Sequence, residues 1–300
     1  MPWGRAYFAV QALAGAAWWI AVALSPPVRE ATLGSLDPIV IAILDIPLFV
    51  FASVLAAAGV TGAAWVSAGW TTLVAIGLVV FATVTTEAGW GAVVMAAAAG
   101  ASVIALCLQV LGRVPTTWIA AGPFAFRPAA PRAALTGHVA TTFAQLVVFW
   151  GLFLAVIPTL LFMIERRWGV GLPLPWIGMP VGLFALALGS ALGIWSALVM
   201  SVLGDGTPLP AAMPNRLVIA GPYRWVRNPM AVAGIVQGVG VGLLLSSWLV
   251  VAYALAGSLL WNYAVRPLEE SDLERRFGDD YRRYRNAVRC WVPIRRPRAR

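Results

Sequence analysis

The chain has 300 residues, of which 61% are hydrophobic and only 11% charged, with a mean hydropathy of +0.84. Values this apolar exclude an ordinary soluble domain and define a protein that crosses a membrane several times. The net charge of +9 is carried by arginine alone, much of it in a tail beside the last apolar stretch, which suits anionic headgroups; no nucleic-acid partner is expected.

In chain order, apolar stretches near Ala6–Leu24, Ile39–Gly59, Ala63–Thr85 and Gly89–Leu111 each suffice to cross a core ~30 Å thick. They define an N-terminal four-span region over residues 1–112. Asp45 lies inside the second span, where a carboxyl is costly and asks for a partner or a function, although Pro47 opens the helix locally. A Pro- and Arg-rich linker follows over 113–138, read as cytoplasmic. Spans resume near Val139–Met163 and Ile177–Leu203. The uncharged run Met230–Val265 is too long for one upright helix and carries Ser246 and Ser247 near its middle, so it predicts a hairpin of two short helices. The fold expected is all-α: a polytopic bundle of about eight transmembrane helices with a C-terminal helical hairpin.

Eight spans put 18 of the 21 arginines on the side of both termini and leave Arg29, Arg166 and Arg167 opposite, so both termini are expected in the cytoplasm. Cys107 and Cys290 indicate no disulfide framework, and with His138 as the only histidine no metal site is expected. The GVGVG run at Gly238–Gly242 lacks the strand and amphipathic helix of a phosphate loop. Gly234, Gly238 and Gly242 instead form a small-residue stripe for close helix packing.

Polar chemistry gathers in two places. GPYRWVRNPM, Gly221–Met230, precedes the hairpin, and RPLEESDLERRFGDDYRRYRNAVRCWVP, Arg266–Pro293, follows it. In the second, Leu268, Leu273, Phe277, Tyr281, Tyr284 and Val288 recur at helical spacing, predicting a cytosolic amphipathic tail helix with a break at Gly278. A tight hairpin must return Glu269 and Glu270 to the membrane face that holds Arg224 and Arg227. Adjacent carboxylates there need arginines or a hydroxyl-rich or cationic ligand to answer them.

The paired motifs, over roughly Gly204–Pro293, resemble the C-terminal signature of the isoprenylcysteine carboxyl methyltransferase and phospholipid N-methyltransferase superfamily. The resemblance implies S-adenosylmethionine held at the cytosolic membrane face, with a lipophilic or small membrane-accessible acceptor methylated at oxygen, nitrogen or sulfur, and membrane lipids as surroundings. It nominates Tyr223, Arg224, Arg227, Asn228, Pro229, Met230, Glu269, Glu270, Tyr281 and Tyr284 for the cofactor, with Arg227 and Glu270 also at the chemistry, in a core over 139–300. Ala231 departs from the family, which commonly has an aromatic there, and leaves a substitute such as Trp225 to be found. An NADPH-dependent reductase of the sterol-reductase type and a noncatalytic lipid-binding protein are the alternatives.

Overall fold

The computed structural model describes residues 2–120, 135–207 and 213–293, and the described residues are mainly helices joined by turns and loops. Most of the linker (121–134), the last seven residues and the side chain of His138 lie outside the described residues. Seven helices are long and apolar enough to span a membrane, and an eighth apolar helix, Pro229–Leu244, is shorter. Packing divides the chain into two compact units, residues 1–115 with 163–171, and residues 116–162 with 172–300. The segment Met163–Gly171 packs with the first unit.

The first unit contains α1 (Pro2–Leu24), a short α2 (Pro26–Leu33), α3 (Pro38–Ala58), α4 (Thr61–Thr85) and α5 (Gly89–Val110). Its core is built around Phe8 with Ala56, Ala64, Ala68, Ala105 and Leu106. Alanine dominates because, between helices in lipid, close van der Waals packing rather than expulsion of water drives association. Polar groups at the interfaces answer one another. Gln11 donates to Ser53 Oγ (3.1 Å) and Ser67 Oγ (3.0 Å), and its carbonyl accepts from Ser102 Oγ (2.7 Å). Asp45 is buried, and its two carboxyl oxygens accept from the indoles of Trp19 (2.9 Å) and Trp70 (2.8 Å). The partner that Asp45 requires is therefore a pair of indoles on α1 and α4. Just beyond it a π segment, Ile46–Phe51, absorbs Pro47. Arginines close two helix ends: Arg5 donates to the carbonyls of Ala57 and Ala58 at the end of α3, and Arg167 to those of Thr83 and Val84 at the end of α4.

The second unit holds the site. Its helices are most of α6, which runs from Leu135–Trp150 through a π segment at Gly151–Val156 into Ile157–Arg167, then α7 (Gly178–Gly204), α8 (Pro229–Leu244) and α9 (Trp248–Leu260). A π segment, Trp261–Val265, leads from α9 into the charged α10 (Arg266–Ala287), which is interrupted at Gly278 (φ 53°). The apolar run ends at Val265; α10 is the helix that leaves it. The expected hairpin is present, because Ser246 (φ 50°) turns the chain and Ser247 caps α9 by accepting from Val250 N (3.3 Å). Gly182 on α7 and Gly240 on α8 meet backbone to backbone: a Cβ on either would lie 2.8 Å from the other's carbonyl oxygen. Of the expected glycine stripe, Gly238 and Gly242 face α9 while Gly234 has nothing within 4 Å; the contact with α7 is made by Gly240, between them.

Candidate active site

The loop after α7 folds back before it reaches α8. Asp205 takes a left-handed conformation (φ 52°), and the amides of Asn215 and Arg216 donate to the Gly204 carbonyl at 2.7 and 3.1 Å. The chain then makes a 3₁₀ turn, Gly221–Arg224, that starts at a glycine for two reasons. Its φ is +52°, and a Cβ would collide with Val199. Asn228 caps α8 by accepting from Ala231 N (3.3 Å), and Pro229 occupies the first turn, where no amide hydrogen is needed. The Asn-Pro pair therefore ends the loop at a fixed point and presents Arg227 beside it.

The other wall is α10. Arg276 donates to the Pro214 carbonyl, and Tyr284 donates its hydroxyl to the Tyr223 carbonyl (2.7 Å). Between the walls lies a narrow cleft with a volume of about 70 Å³. Arg227, Asn228, Glu269, Glu270, Tyr281 and Tyr284 line it, with Tyr223 and Met230. Its apolar side comes from Met200, Leu217, Trp261, Leu273 and Phe277.

The two glutamates have different partners. Glu270 Oε1 lies 3.2 Å from Arg227 Nη2 and 3.9 Å from Arg266 Nε, so its charge is answered twice. Glu269 accepts a bond only from the neutral amide of Asn228 (3.3 Å) among the contacts resolved around it. Burial, then the Glu270 carboxylate, push Glu269 up to about 7, with Asp272 adding to the rise and the Asn228 bond opposing it. Burial also raises the phenols of Tyr223, Tyr281 and Tyr284, which stay protonated, and the Cys290 thiol. Arg227 spends one nitrogen on Glu270, while its Nε and Nη1 are buried with no hydrogen-bond partner among the described residues. Buried guanidinium donors without acceptors are costly, and their chemistry suits an anionic or carbonyl oxygen.

The residues nominated from sequence divide unevenly. Tyr223, Arg227, Asn228, Met230, Glu269, Glu270, Tyr281 and Tyr284 meet at the cleft, and Pro229 is buried immediately beneath it. Arg224 is exposed and lines no part of it. Trp225 packs edge-on against Trp195 (5.7 Å between centroids) outside the cleft, so the aromatic wall comes from Trp261 instead. Arg266, Trp261 and Cys290 were not nominated. Arg266 opens the tail motif and was the legible one of the three, being an arginine four residues before Glu270.

The family model described as phospholipid methyltransferase matches residues 177–280, from the start of α7 into α10. This stretch is accordingly a phospholipid methyltransferase domain, in the superfamily of membrane methyltransferases that also contains the isoprenylcysteine carboxyl methyltransferases. By this domain the chain is an integral, multi-pass membrane methyltransferase in general terms. No curated protein and no solved structure matches the chain. Tyr281, Tyr284 and the residues after them lie beyond the matched stretch.

Proposed function

We propose that the protein is an S-adenosylmethionine-dependent methyltransferase that modifies a lipophilic or small acceptor reaching the cleft from the membrane. The observation that carries this reading is the cleft's mixture of unanswered guanidinium donors, paired carboxylates and buried aromatic rings. That mixture suits a ligand with an amino-acid head, ribose hydroxyls and a sulfonium. Arg227 and Arg266 would hold the carboxylate, and Glu269 and Glu270 would take the amine or the ribose hydroxyls. The rings of Tyr281 and Tyr284 would face the adenine or the positive sulfur. S-adenosylmethionine supplies, when bound, a methyl group already activated for transfer. The protein's own work is then to hold the acceptor in line, exclude water and, for an amine or thiol acceptor, receive a proton. Glu269 is the carboxylate left uncommitted to an arginine and is suited to that last task.

Calorimetric titration of the purified protein with S-adenosylmethionine and separately with NADPH tests this reading. Binding of the first and not the second is expected. Because the ligand is a cation, it favours ionised Glu269. At pH 6, below its value of about 7, binding should release part of a proton, and affinity should rise between pH 6 and 8. The Glu269→Gln variant should show neither effect, although Glu270, Asp272, Tyr223 and Tyr281 still surround the position. Binding of NADPH alone would favour a reductase, and binding of neither would favour a lipid-binding protein. Incubating a membrane extract with methyl-labelled S-adenosylmethionine and following the label by mass spectrometry identifies the acceptor.

The arginine distribution supports a cytoplasmic location for the cleft and for both ends of the sequence. Impermeant thiol labelling of intact cells should accordingly reach a cysteine at Ser35 but not one at Val114. The reverse pattern would invert the topology.

A further inference from the structure

The stretch after α10 does not leave the site. The Arg289 carbonyl accepts from the Arg227 backbone amide (3.0 Å), and Cys290, 7% exposed, lines the cleft. One residue on, Trp291 donates its indole N–H to Asn262 Oδ1 (2.8 Å) and meets Trp261 edge-on, with centroids 5.1 Å apart and planes at 89°. Three consecutive residues, 289–291, therefore touch both walls of the cleft: the loop that presents Arg227, and the π segment Trp261–Val265 that presents Trp261. Residue 227 has its backbone held from the strap side and its guanidinium held by Glu270, which leaves Nε and Nη1 aimed by two restraints. Asn262 sits in the π segment, an irregularity that is frequent at functional sites.

We propose that residues 288–292 form a strap that positions Arg227 and Trp261, with Trp291 as its latch, and thereby sets the affinity of the cleft for its adenosyl ligand. The proposal rests on the S-adenosylmethionine reading above. Trp291 is a positioning residue: its indole is directed to Asn262 and Trp261, and it acts on the ligand through them. The segment lies beyond the stretch that matches the family model.

The protein has two cysteines, so a full-length Cys107→Ser background leaves Cys290 as the reporter thiol. The readouts are the rate of maleimide labelling at Cys290 and the affinity for S-adenosylhomocysteine, the demethylated form of the cofactor. Slow labelling, slowed further by S-adenosylhomocysteine, is expected with Trp291 present. Trp291→Ala should label roughly tenfold faster and bind roughly tenfold more weakly, having lost a hydrogen bond and an aromatic contact. Trp291→Phe, which keeps the ring edge but not the N–H, should fall between them. A variant destabilised only globally would shift thermal unfolding without this graded rescue. Labelling and affinity both unchanged in Trp291→Ala overturn the strap. Failure of the Trp291-containing protein to bind S-adenosylhomocysteine overturns the cofactor reading instead, and the labelling rates then decide by themselves whether Trp291 docks the strap.

Discussion

Arg227→Ala is expected to abolish measurable S-adenosylmethionine binding while leaving the protein inserted in the membrane. Two effects act together. The variant removes the donors proposed for the ligand carboxylate, and bonds from a charged group contribute about 1.5–3 kcal/mol each, so affinity should fall by at least ~100-fold. It also strips Glu270 of its nearer partner, leaving Arg266 at 3.9 Å. Removing one member of a largely buried pair costs up to about 3–5 kcal/mol; the side chains here retain 13% and 22% exposure, which places this pair toward the lower end. Arg227→Lys keeps the charge but not the planar fork, so it should recover stability before it recovers affinity. Calorimetry and thermal unfolding on the same preparations separate the two effects. Wild-type affinity in Arg227→Ala would remove the arginine from the site.

Gly240→Leu should be severely damaging to the hairpin. A Cβ at Gly240 would stand 2.8 Å from the Gly182 carbonyl oxygen and 2.9 Å from the Leu186 amide, both backbone atoms that cannot rotate away. The helices would have to separate, forfeiting the close packing that holds them in lipid, at a cost of roughly 3 kcal/mol or more. The consequence reaches the site, because α7 ends near Met200 and α8 begins at the Asn228 cap, and both residues line the cleft. Loss of folded protein in a detergent-resistance assay is the expected result. Gly234→Leu is the matched control, since nothing lies within 4 Å of that position. Equal behaviour of the two variants would mean that the α7–α8 contact does not hold the hairpin.

Much of this architecture is legible in the residues, and the exceptions have physical causes. The hairpin is announced by two serines in an uncharged run longer than one span, and the break in α10 by Gly278. Both signals are local. The choice between Arg224 and Arg227 is not local: the two lie three residues apart, and the 3₁₀ turn at Gly221–Arg224 sends the first outward. The inward phase of α10 is equally hidden. A π segment adds a residue to the turn before it and rotates everything after, so extrapolating a 3.6-residue period from α9 across Trp261–Val265 misplaces the charged helix. Both glutamates reach the cleft as a result, and they are told apart by Arg227 and Asn228 rather than by their position in the sequence. The strap left no periodic signal, because its contacts are made by single residues after the helix has ended.

The indole pair around Asp45 has a bearing on how the chain is made. Its two donors stand on opposite sides of it in the sequence: Trp19 is already in place when the second span enters the bilayer, and Trp70 arrives only with the third. During synthesis one carboxyl oxygen therefore waits for a helix that does not yet exist, at a site where an acid within a span costs about 2.5–3.5 kcal/mol. Biogenesis of this half of the protein is on these terms a coupled event, in which α3 reaches its final environment only as α4 joins it.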